Sequence, residues 1–273
     1  GVDTDDSSLY SCMLGSDYGK QMKKAGKWLD EYLKEEDEKK AEKEKAASEA
    51  PTQEESEQTD SEDTEVNTDS SKATDSSASI FDKIMKSSST AKDETDSTEE
   101  EQTEEDITIK IAAIQESIGS EEQLMRAQGY QTMLERYSDW EMVAQQTGDN
   151  SREEAEKVMK LFLEQEPDLR VVFAESDEMA LGAIDAIGKS GKTCGEDGDI
   201  IVISFGGSKA GIEAVKEGKL NVTFECNPGQ GPKAAELIQR LESDISIDKE
   251  QYVEETYFDG TMDLDEIIEN RTY

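Results

Sequence analysis

Histidine is absent from all 273 residues of the chain, which excludes several kinds of functional site. Ser-His-Asp and Cys-His catalysis need an imidazole base, and the commonest zinc sites need imidazole ligands. The three cysteines, Cys12, Cys194 and Cys226, stand far apart and form no CxxC pair. Their spacing argues against zinc and redox chemistry and leaves either a disulfide between two of them or buried thiols. We expect no metal or other cofactor, and no catalysis of these types.

The chain also lacks long apolar runs and an excess of positive charge. No apolar run approaches the roughly 18 residues of a transmembrane helix, so no direct membrane span is expected. The 67 acidic and 29 basic residues give a net charge of -38. This acidity argues against binding to nucleic acid or to an anionic lipid surface, because both recruit Lys and Arg. The first residue is Gly1 and no signal peptide is visible, so we expect a processed protein or a fragment.

Residues 35–106 differ in composition from the rest of the chain. They include 26 acidic and 8 basic residues, many Ser and Thr, and few large apolar side chains. Such a segment cannot bury enough apolar surface to offset its chain entropy, so we interpret it as a disordered acidic insert. The Glu and Lys residues of its first part favour an extension of the preceding helix.

Outside this insert, short apolar runs alternate with amphipathic segments. Val171–Phe173 is a typical buried strand, and the apolar residues that follow Asp177 recur at helical spacing. The predicted strands are 10–14, 107–114, 141–145, 170–174, 200–205, 221–225 and 252–258, and the predicted helices are 17–34, 121–136, 151–164, 177–189, 208–217 and 231–241, with a short terminal helix. This alternation predicts an α/β fold with a parallel sheet that helices cover on both faces.

Several stretches in this order resemble a known protein family. VFAESDEMALGAIDAIGKSG, IIVISFGGSKAGIEAVKEGKLNVTFECNPGQGPKAA and IAAIQESIGSEEQLMRAQGY are similar to type I sugar-binding proteins of the bacterial periplasm. GSDYGKQMKKAGKWLDEYL and the closing NRTY also resemble the ribose and galactofuranose group, which serves ABC importers. The resemblance implies two α/β lobes that are joined by three hinge strands and close on a sugar.

The resemblance also implies a division of the chain between the two lobes. Residues 1–34 and 107–136 are assigned to the N-terminal lobe, 137–249 to the C-terminal lobe, and 250–273 to a return to the N-terminal lobe with a tail. GVDTDDSSLYSCMLGSDYG resembles the family segment just after a sugar-gripping Asp-Arg pair. We therefore expect an incomplete first lobe with an exposed strand edge, which is an aggregation hazard unless another chain covers it.

The strongest candidate ligand residues follow predicted strands, because ligands of open α/β sheets bind beyond the carboxyl ends of the strands. Ser176 stands where the family has the amide of an Asn-Asp pair. Ser176 or Asp177 equally suits a helix N-cap. Glu225 matches a hinge Gln or Glu that touches the sugar in the family, and the alternative is a hydrogen bond within the hinge.

Phe205 matches a residue that lines the family's pocket. The family's next residue is a hydroxyl-binding Asp, and here it is Gly206. Gly206 and Gly207 suit a tight turn, with close approach to a phosphate as the alternative. Arg126 and Trp28 are interpreted as structural.

Three further candidates lie at the ends of other predicted strands. Arg152 matches a family arginine, which either reaches the ligand or pairs with Asp149 and neighbouring carboxylates. Asn150 takes the place of a stacking aromatic residue in the family. Gln115 and Ser120 are expected to face the cleft by the strand-end rule.

These observations favour a binding protein over an enzyme. The first hypothesis is an extracytoplasmic solute-binding protein, periplasmic or a Gram-positive surface lipoprotein. It would capture a monosaccharide (a pentose or hexose, including galactofuranose-like sugars) and deliver it to an ABC transporter permease. The alternative is the ligand-sensing effector domain of a lactose-repressor-type transcription regulator, although no helix-turn-helix is visible. A nucleotide-using enzyme is disfavoured because no GxGxxG follows a strand and no Walker motif is present.

Overall fold

A computed structural model of the chain describes residues 10–48 and 108–273, where strands and helices alternate. The strands are β1 (Met13–Gly15), β2 (Ile109–Gln115), β3 (Trp140–Thr147), β4 (Val171–Ala174), β5 (Ile201–Gly206), β6 (Val222–Glu225), β7 (Glu250–Tyr252) and β8 (Tyr257–Asp259). The helices are α1 (Tyr18–Ser48), α2 (Glu121–Arg136), α3 (Arg152–Gln165), α4 (Asp177–Ser190), α5 (Lys209–Lys216), α6 (Gly231–Glu242) and α7 (Leu264–Asn270). The predicted α/β fold is confirmed, and the predicted last strand divides into β7 and β8.

Most of the strands form a six-stranded sheet with the order β3-β2-β4-β5-β6-β8. The first five strands of this order are parallel, and β8 runs antiparallel to β6. A separate two-stranded parallel sheet pairs β1 with β7. Because five neighbouring strands run in one direction, their carboxyl ends meet at one edge of the large sheet, called the carboxyl edge below.

Helices cover both faces of the six-stranded sheet. Along β4, Val172 and Ala174 join the core on the side of α3, α4 and α5, whereas Val171 and Phe173 join the core on the side of α1 and α2. This alternation follows from the two-residue period of a strand, and burial on both sides explains why β4 is wholly apolar. The buried α1 side chains in the second core are Met22, Ala25 and Leu29.

The pairing of the strands corrects the predicted division into lobes. Strand β2 lies between β3 and β4, so the assignment of residues 107–136 to a different lobe from 137–249 is wrong. The buried residues of α1 pack on the same sheet, so α1 also belongs with it. The physical reason is that Ile111–Ile114 are fully buried, as a central parallel strand requires. Among the described residues, β1 and β7 pair with each other outside this sheet, whereas β8, in the segment 250–273 that was assigned to the N-terminal lobe, pairs with β6 within it.

Helix α1 is longer than the predicted helix and continues to Ser48. The predicted helical extension into the acidic insert is therefore confirmed, while the remainder of the predicted disordered insert lies outside the described residues. Glu36 is buried on α1 and forms a close ion pair with Arg170, just before β4. Arg170 also donates to the carbonyl oxygens of Gly198 and Asp199, at 2.9 and 2.7 Å. These contacts fasten the middle of α1 to the edge of the sheet opposite the carboxyl edge.

Helices α3 and α4 pack closely because α4 has a glycine at their contact. A Cβ atom on Gly182 would lie 2.2 Å from the backbone oxygen of Arg152, the first residue of α3. Gly188, six residues further along α4, has no neighbour within 4 Å of the same position. The two glycines therefore share a helix but differ in the space around them.

We expect Gly182→Ala to lower the free energy of unfolding by about 1–3 kcal/mol, because the helix backbones must move apart. Gly188→Ala is the matched control, and we expect it to raise stability by about 0.5–1 kcal/mol because alanine favours helix. Urea denaturation of both variants measures the difference. Equal stability changes in the two variants would contradict the close packing of α3 on α4.

Candidate functional site

Residues at the ends of four parallel strands meet at the carboxyl edge, and most of them have polar side chains. Gln115 ends β2, Glu175 and Ser176 follow β4, Gly206 ends β5, and Glu225 ends β6. Residues of these positions are buried or half-buried, so their polar atoms need partners within the protein or from a ligand.

Ser176 and Asp177 have different roles at the start of α4. The Ser176 hydroxyl accepts a hydrogen bond from the Met179 amide at 3.4 Å and is the N-cap, as one prediction held. The Asp177 carboxylate accepts from the hydroxyls of Ser204 and Thr223 at 2.5 and 2.7 Å. The alternative that Asp177 caps the helix is wrong, since its carboxylate instead connects α4 to β5 and β6.

The same carboxylate lies against Gly206, the last residue of β5, and Gly207 follows it in a tight turn. Asp177 also accepts from the Ser208 amide at 2.7 Å, and a Cβ atom on Gly206 would lie 2.5 Å from its Oδ2. Gly207 has φ +66° and donates its amide to the Thr223 hydroxyl at 3.0 Å. The backbone N–H groups that a phosphate would need are therefore engaged, and the tight-turn alternative accounts for the glycine pair.

Glu225 is held within the protein by three donors. Its Oε1 accepts from Arg271 Nη1 at 2.9 Å and from the Tyr273 hydroxyl at 2.7 Å, and its Oε2 accepts from the Thr256 amide at 3.2 Å. Burial and the Glu225 carboxylate both raise the pKa of Tyr273. This arrangement matches the alternative of an internal hydrogen bond, and it joins β6 to the C-terminal residues.

Arg152 and Asn150 take partners that the sequence did not indicate. Arg152 Nε donates to Asp185 on α4 at 2.7 Å, so the predicted ion pair forms but Asp149 is not the partner. The Asp185 carboxylate raises the pKa of Arg152. Asn150, at φ +53°, donates its amide to Glu116 Oε2 at 2.8 Å.

The remaining candidates have structural contacts of their own. The Ser120 hydroxyl accepts from the Gln123 amide at 3.2 Å and caps α2. Gln115 donates to the side chain of Gln145 at 3.3 Å. Phe205 is buried in the core, with its ring centroid 5.7 Å from that of Phe224.

Arg126 is the residue at this edge whose position the sequence did not reveal. It is 1% exposed, and its guanidinium lies over the rings of Tyr18 and Phe205, 5.0 and 4.6 Å from their centroids. Its Nη1 donates to the Glu175 carbonyl oxygen at 3.1 Å and lies 3.6 Å from Glu116 Oε1. Its Nε has no hydrogen-bond partner. The available signal was a charged residue on the buried face of an amphipathic helix.

Glu175 lies beside this arginine and is also incompletely bonded. Its side chain is 1% exposed, its Oε2 accepts from the Glu116 amide at 3.0 Å, and its Oε1 has no partner. Burial raises the pKa of Glu175 to about 7, against the lowering effects of the Glu116 amide and Arg126. The neighbouring Tyr130 hydroxyl is buried and interacts with the Glu175 carboxyl, which lowers the pKa of that carboxyl, although no full hydrogen bond joins the two side chains.

The three cysteines are free thiols, so the disulfide alternative is wrong. Burial raises the pKa of Cys194 to about 11. Cys226 lies at the carboxyl edge, where Gln21 Nε2 is 3.5 Å and Arg126 Nη2 is 3.6 Å from its sulfur. Among residues 10–48 and 108–273, no group of three or more Cys, Asp or Glu side chains is arranged to hold a metal ion.

A concave surface of about 330 Å³ lies near the opposite edge of the sheet. Its wall includes the stacked rings of Trp28 and Tyr32, whose centroids are 4.9 Å apart. Trp28 Nε1 donates to Asp259 at 3.0 Å, and Asn221 donates to the Tyr32 hydroxyl at 3.1 Å. Because these polar groups already have partners, this surface shows less unmet bonding capacity than the carboxyl edge.

Comparison with known proteins identifies the class to which this fold and site correspond. A family model described as a periplasmic binding protein domain matches residues 93–244, more than half of the chain. The chain belongs to this family, as its resemblance to sugar-binding proteins indicated. No helix in the described part of the chain has the length and apolar composition needed to cross a bilayer.

Individual relatives are named for sugar binding. The chain is 34% identical to the ribose import binding protein RbsB of Salmonella typhimurium over 133 residues, which are 48% of this chain and 43% of the relative. It is 25% identical to the galactofuranose-binding protein YtfQ of Escherichia coli over 137 residues, 49% of this chain and 42% of the relative. The chain therefore matches less than half of the length of these two relatives.

A solved structure supports the fold. The periplasmic binding protein of the arabinose ABC transporter from Shewanella sp. ANA-3, bound to L-arabinofuranose, superposes with a TM-score of 0.65 at 20% identity. The superposition covers 100% of this chain and 70% of that protein. At this identity the likeness establishes the fold.

We expect Asp177→Ala to lower the free energy of unfolding by about 3–6 kcal/mol, because two buried hydroxyls and an amide lose their acceptor. Ser176→Ala is the neighbouring control and should cost only about 1 kcal/mol through loss of the N-cap. Urea denaturation measures both losses. A small and equal loss in the two variants would show that the Asp177 carboxylate is not a structural tie.

We also expect Glu175→Gln to change how stability depends on pH. Because the folded-state pKa of Glu175 is about 7, above the ordinary value of 4.5, the native protein retains a proton that the unfolded chain releases. The stability of the unmodified protein should therefore fall as pH rises between these values, by at most about 3 kcal/mol from this group. Glu175→Gln lacks this contribution. Relative to the unmodified protein, its free energy of unfolding should therefore be higher at about pH 8.5 than at about pH 5, as measured by denaturation at both pH values. An identical stability difference at both pH values would contradict the raised pKa.

Proposed function

We propose that this chain binds a neutral monosaccharide at the carboxyl edge of its six-stranded sheet, as part of an extracytoplasmic solute-binding protein of an ABC importer. Membership of the periplasmic binding protein domain family supports the class of function. Relatives named for ribose and galactofuranose binding support a sugar as the ligand. The name of the ribose import binding protein favours this role over a repressor-type effector domain, and it favours an extracytoplasmic location with delivery of the sugar to a permease.

The observation that carries the proposal is the unmet hydrogen-bonding capacity around Arg126. Its Nε is a buried donor without a partner. Leaving such a donor unpaired costs about 1–3 kcal/mol, so a ligand or bound water that satisfies it contributes to binding. A sugar hydroxyl accepts hydrogen bonds as well as donating them, so it can satisfy this buried donor.

The charges at this edge suit a ligand without net charge. Arg126 is balanced by Glu116 at 3.6 Å, and Glu175 is partly protonated near neutral pH because its pKa is raised to about 7. The half-buried aromatic ring of Tyr18 beside Arg126 adds apolar surface, as ligand sites usually do. An anionic ligand would meet excess carboxylates rather than free cations.

The predicted ligand residues divide into two groups in this proposal. Ser176, Gln115 and Asn150 lie at strand ends with polar atoms that can bind a sugar after small side-chain movements, and Arg126 joins them. The other predicted residues stabilise the fold through the hydrogen bonds, ion pair and packing contacts described above. These residues are Asp177, Glu225, Phe205, Arg152 and Ser120.

A thermal-shift screen of the whole chain against D-ribose, L-arabinose, D-galactose and D-fructose tests this function. A bound sugar at 100 times its Kd should stabilise the protein by about 2.7 kcal/mol, which raises Tm measurably. Arg126→Lys should weaken binding of the active sugar at least about tenfold, because lysine lacks the planar fork of donors. Arg136→Lys, on the exposed end of the same helix, should bind normally.

Two results would contradict the proposal. One is the absence of a shift with any saccharide at millimolar concentration. The other is an equal loss of affinity in the Arg126 and Arg136 variants. That result would mean that the ligand does not bind next to Arg126 at the carboxyl edge.

A further inference from the structure

Two adjacent carboxylates at the carboxyl edge are bonded very differently. Asp177 accepts three hydrogen bonds from residues 204, 208 and 223. Glu175 accepts one on its side chain, from the Glu116 amide, and its Oε1 is buried with no donor. The bonds of Asp177 hold an ionised carboxylate, whereas a carboxyl in the setting of Glu175 is stabilised by a proton.

The groups that face Glu175 connect it to the arginine proposed to bind the ligand. From the loop after β2 come the Glu116 amide and carboxylate, and from α2 come Arg126 and the Tyr130 hydroxyl. Arg126 is itself bonded to the Glu175 carbonyl oxygen and lies 3.6 Å from Glu116. Tyr18 of α1 and Cys226 after β6 contact Arg126 from its other sides. The guanidinium thus contacts the Glu116 carboxylate and the backbone of Glu175, and the buried carboxyl of Glu175 lies near enough for its charge to interact with Arg126.

We propose that Glu175 is a proton-responsive positioning residue, whose protonation state sets how firmly Arg126 is held within the protein and hence how available it is to a ligand. When Glu175 is neutral, Glu116 alone balances the guanidinium, and Arg126 Nε stays free. When Glu175 loses its proton, a second buried negative charge attracts Arg126 and competes with the ligand for its donors. This inference rests on the proposed sugar site for its consequence, but the link between Glu175 and Arg126 stands on the protein alone.

The direction of the pH effect follows from burial. A bound ligand that excludes water from the carboxyl edge makes the charged form of Glu175 still more costly, so binding favours the protonated form. By linkage, ligand affinity should fall as pH rises through about 7, where Glu175 releases its proton. A further rise of about one unit in the pKa on binding corresponds to about a tenfold loss of affinity at high pH.

The first experiment follows the Arg126 Nε–H resonance by ¹⁵N NMR in the whole chain, assigned by its loss in Arg126→Lys. We expect this resonance to move with a midpoint near pH 7, and to stop moving in Glu175→Gln. Glu178→Gln is the matched control, because Glu178 is an exposed glutamate on the first turn of α4. The control should titrate like the unmodified protein. A resonance that stays constant between about pH 5.5 and 8.5 would overturn the proposal.

The second experiment measures the Kd for D-ribose by calorimetry at about pH 6 and about pH 8.5. We expect the Kd to rise about tenfold in the unmodified protein and in Glu178→Gln, and to stay constant in Glu175→Gln. Affinity that does not change with pH in the unmodified protein overturns the coupling to the ligand. If none of the proteins binds D-ribose or another saccharide, the proposed function fails, and the Arg126 resonance alone decides whether Glu175 positions the arginine.

Discussion

The Asp177 carboxylate is the contact on which the carboxyl edge depends. It accepts hydrogen bonds from β5, from the turn that precedes α5 and from β6, so one side chain connects four elements. Its position requires glycine nearby, because Cβ atoms on Gly206 and Gly211 would each lie 2.5 Å from the carboxyl group. A side chain at position 206, where the resemblance to the family implies an aspartate, would bring its Cβ within 2.5 Å of this carboxylate, so one of the two side chains would have to move.

The polar groups around Asp177 at the carboxyl edge are of two kinds: some have all their hydrogen bonds, and others have buried atoms without partners. Glu225 accepts hydrogen bonds from three donors and joins β6 to the C-terminal residues, and Asp177 joins α4 to β5 and β6. Arg126 and Glu175, in contrast, retain buried atoms without partners. A site for a neutral ligand needs both kinds of group. Affinity is higher when the surrounding residues are already held in place, because few side chains must then be ordered on binding.

The order of the elements could be predicted from sequence because it depends on local patterns. The predicted bounds of α2 match the structure, and β4 was evident from its apolar run. The sheet to which β2 belongs could not be predicted from local patterns. Its neighbours in the sheet, β3 and β4, are determined by long-range strand pairing.

The candidate site shows the same division between local and distant information. Helix capping by Ser176 follows a local rule and was among the predicted alternatives. The partners of Asp177 at Ser204 and Thr223 are 27 and 46 residues away, so no spacing rule connects them. Arg126 was interpreted as structural, as a match to an arginine of the family on the helix after β2. Its unpaired Nε becomes visible only when Tyr18 and Phe205 close around it.

Helix α1 has an electrostatic consequence for this strongly acidic chain. It starts beside the carboxyl edge, where Tyr18 contacts Arg126, and its 31 residues extend about 45 Å at the rise of an α-helix. From Tyr18 to Glu36 the helix already spans about 27 Å, which is about three screening lengths at physiological salt. The exposed carboxylates of Asp37 and Glu38 are therefore largely screened from Arg126, so these charges and a site for a neutral ligand are compatible on one helix.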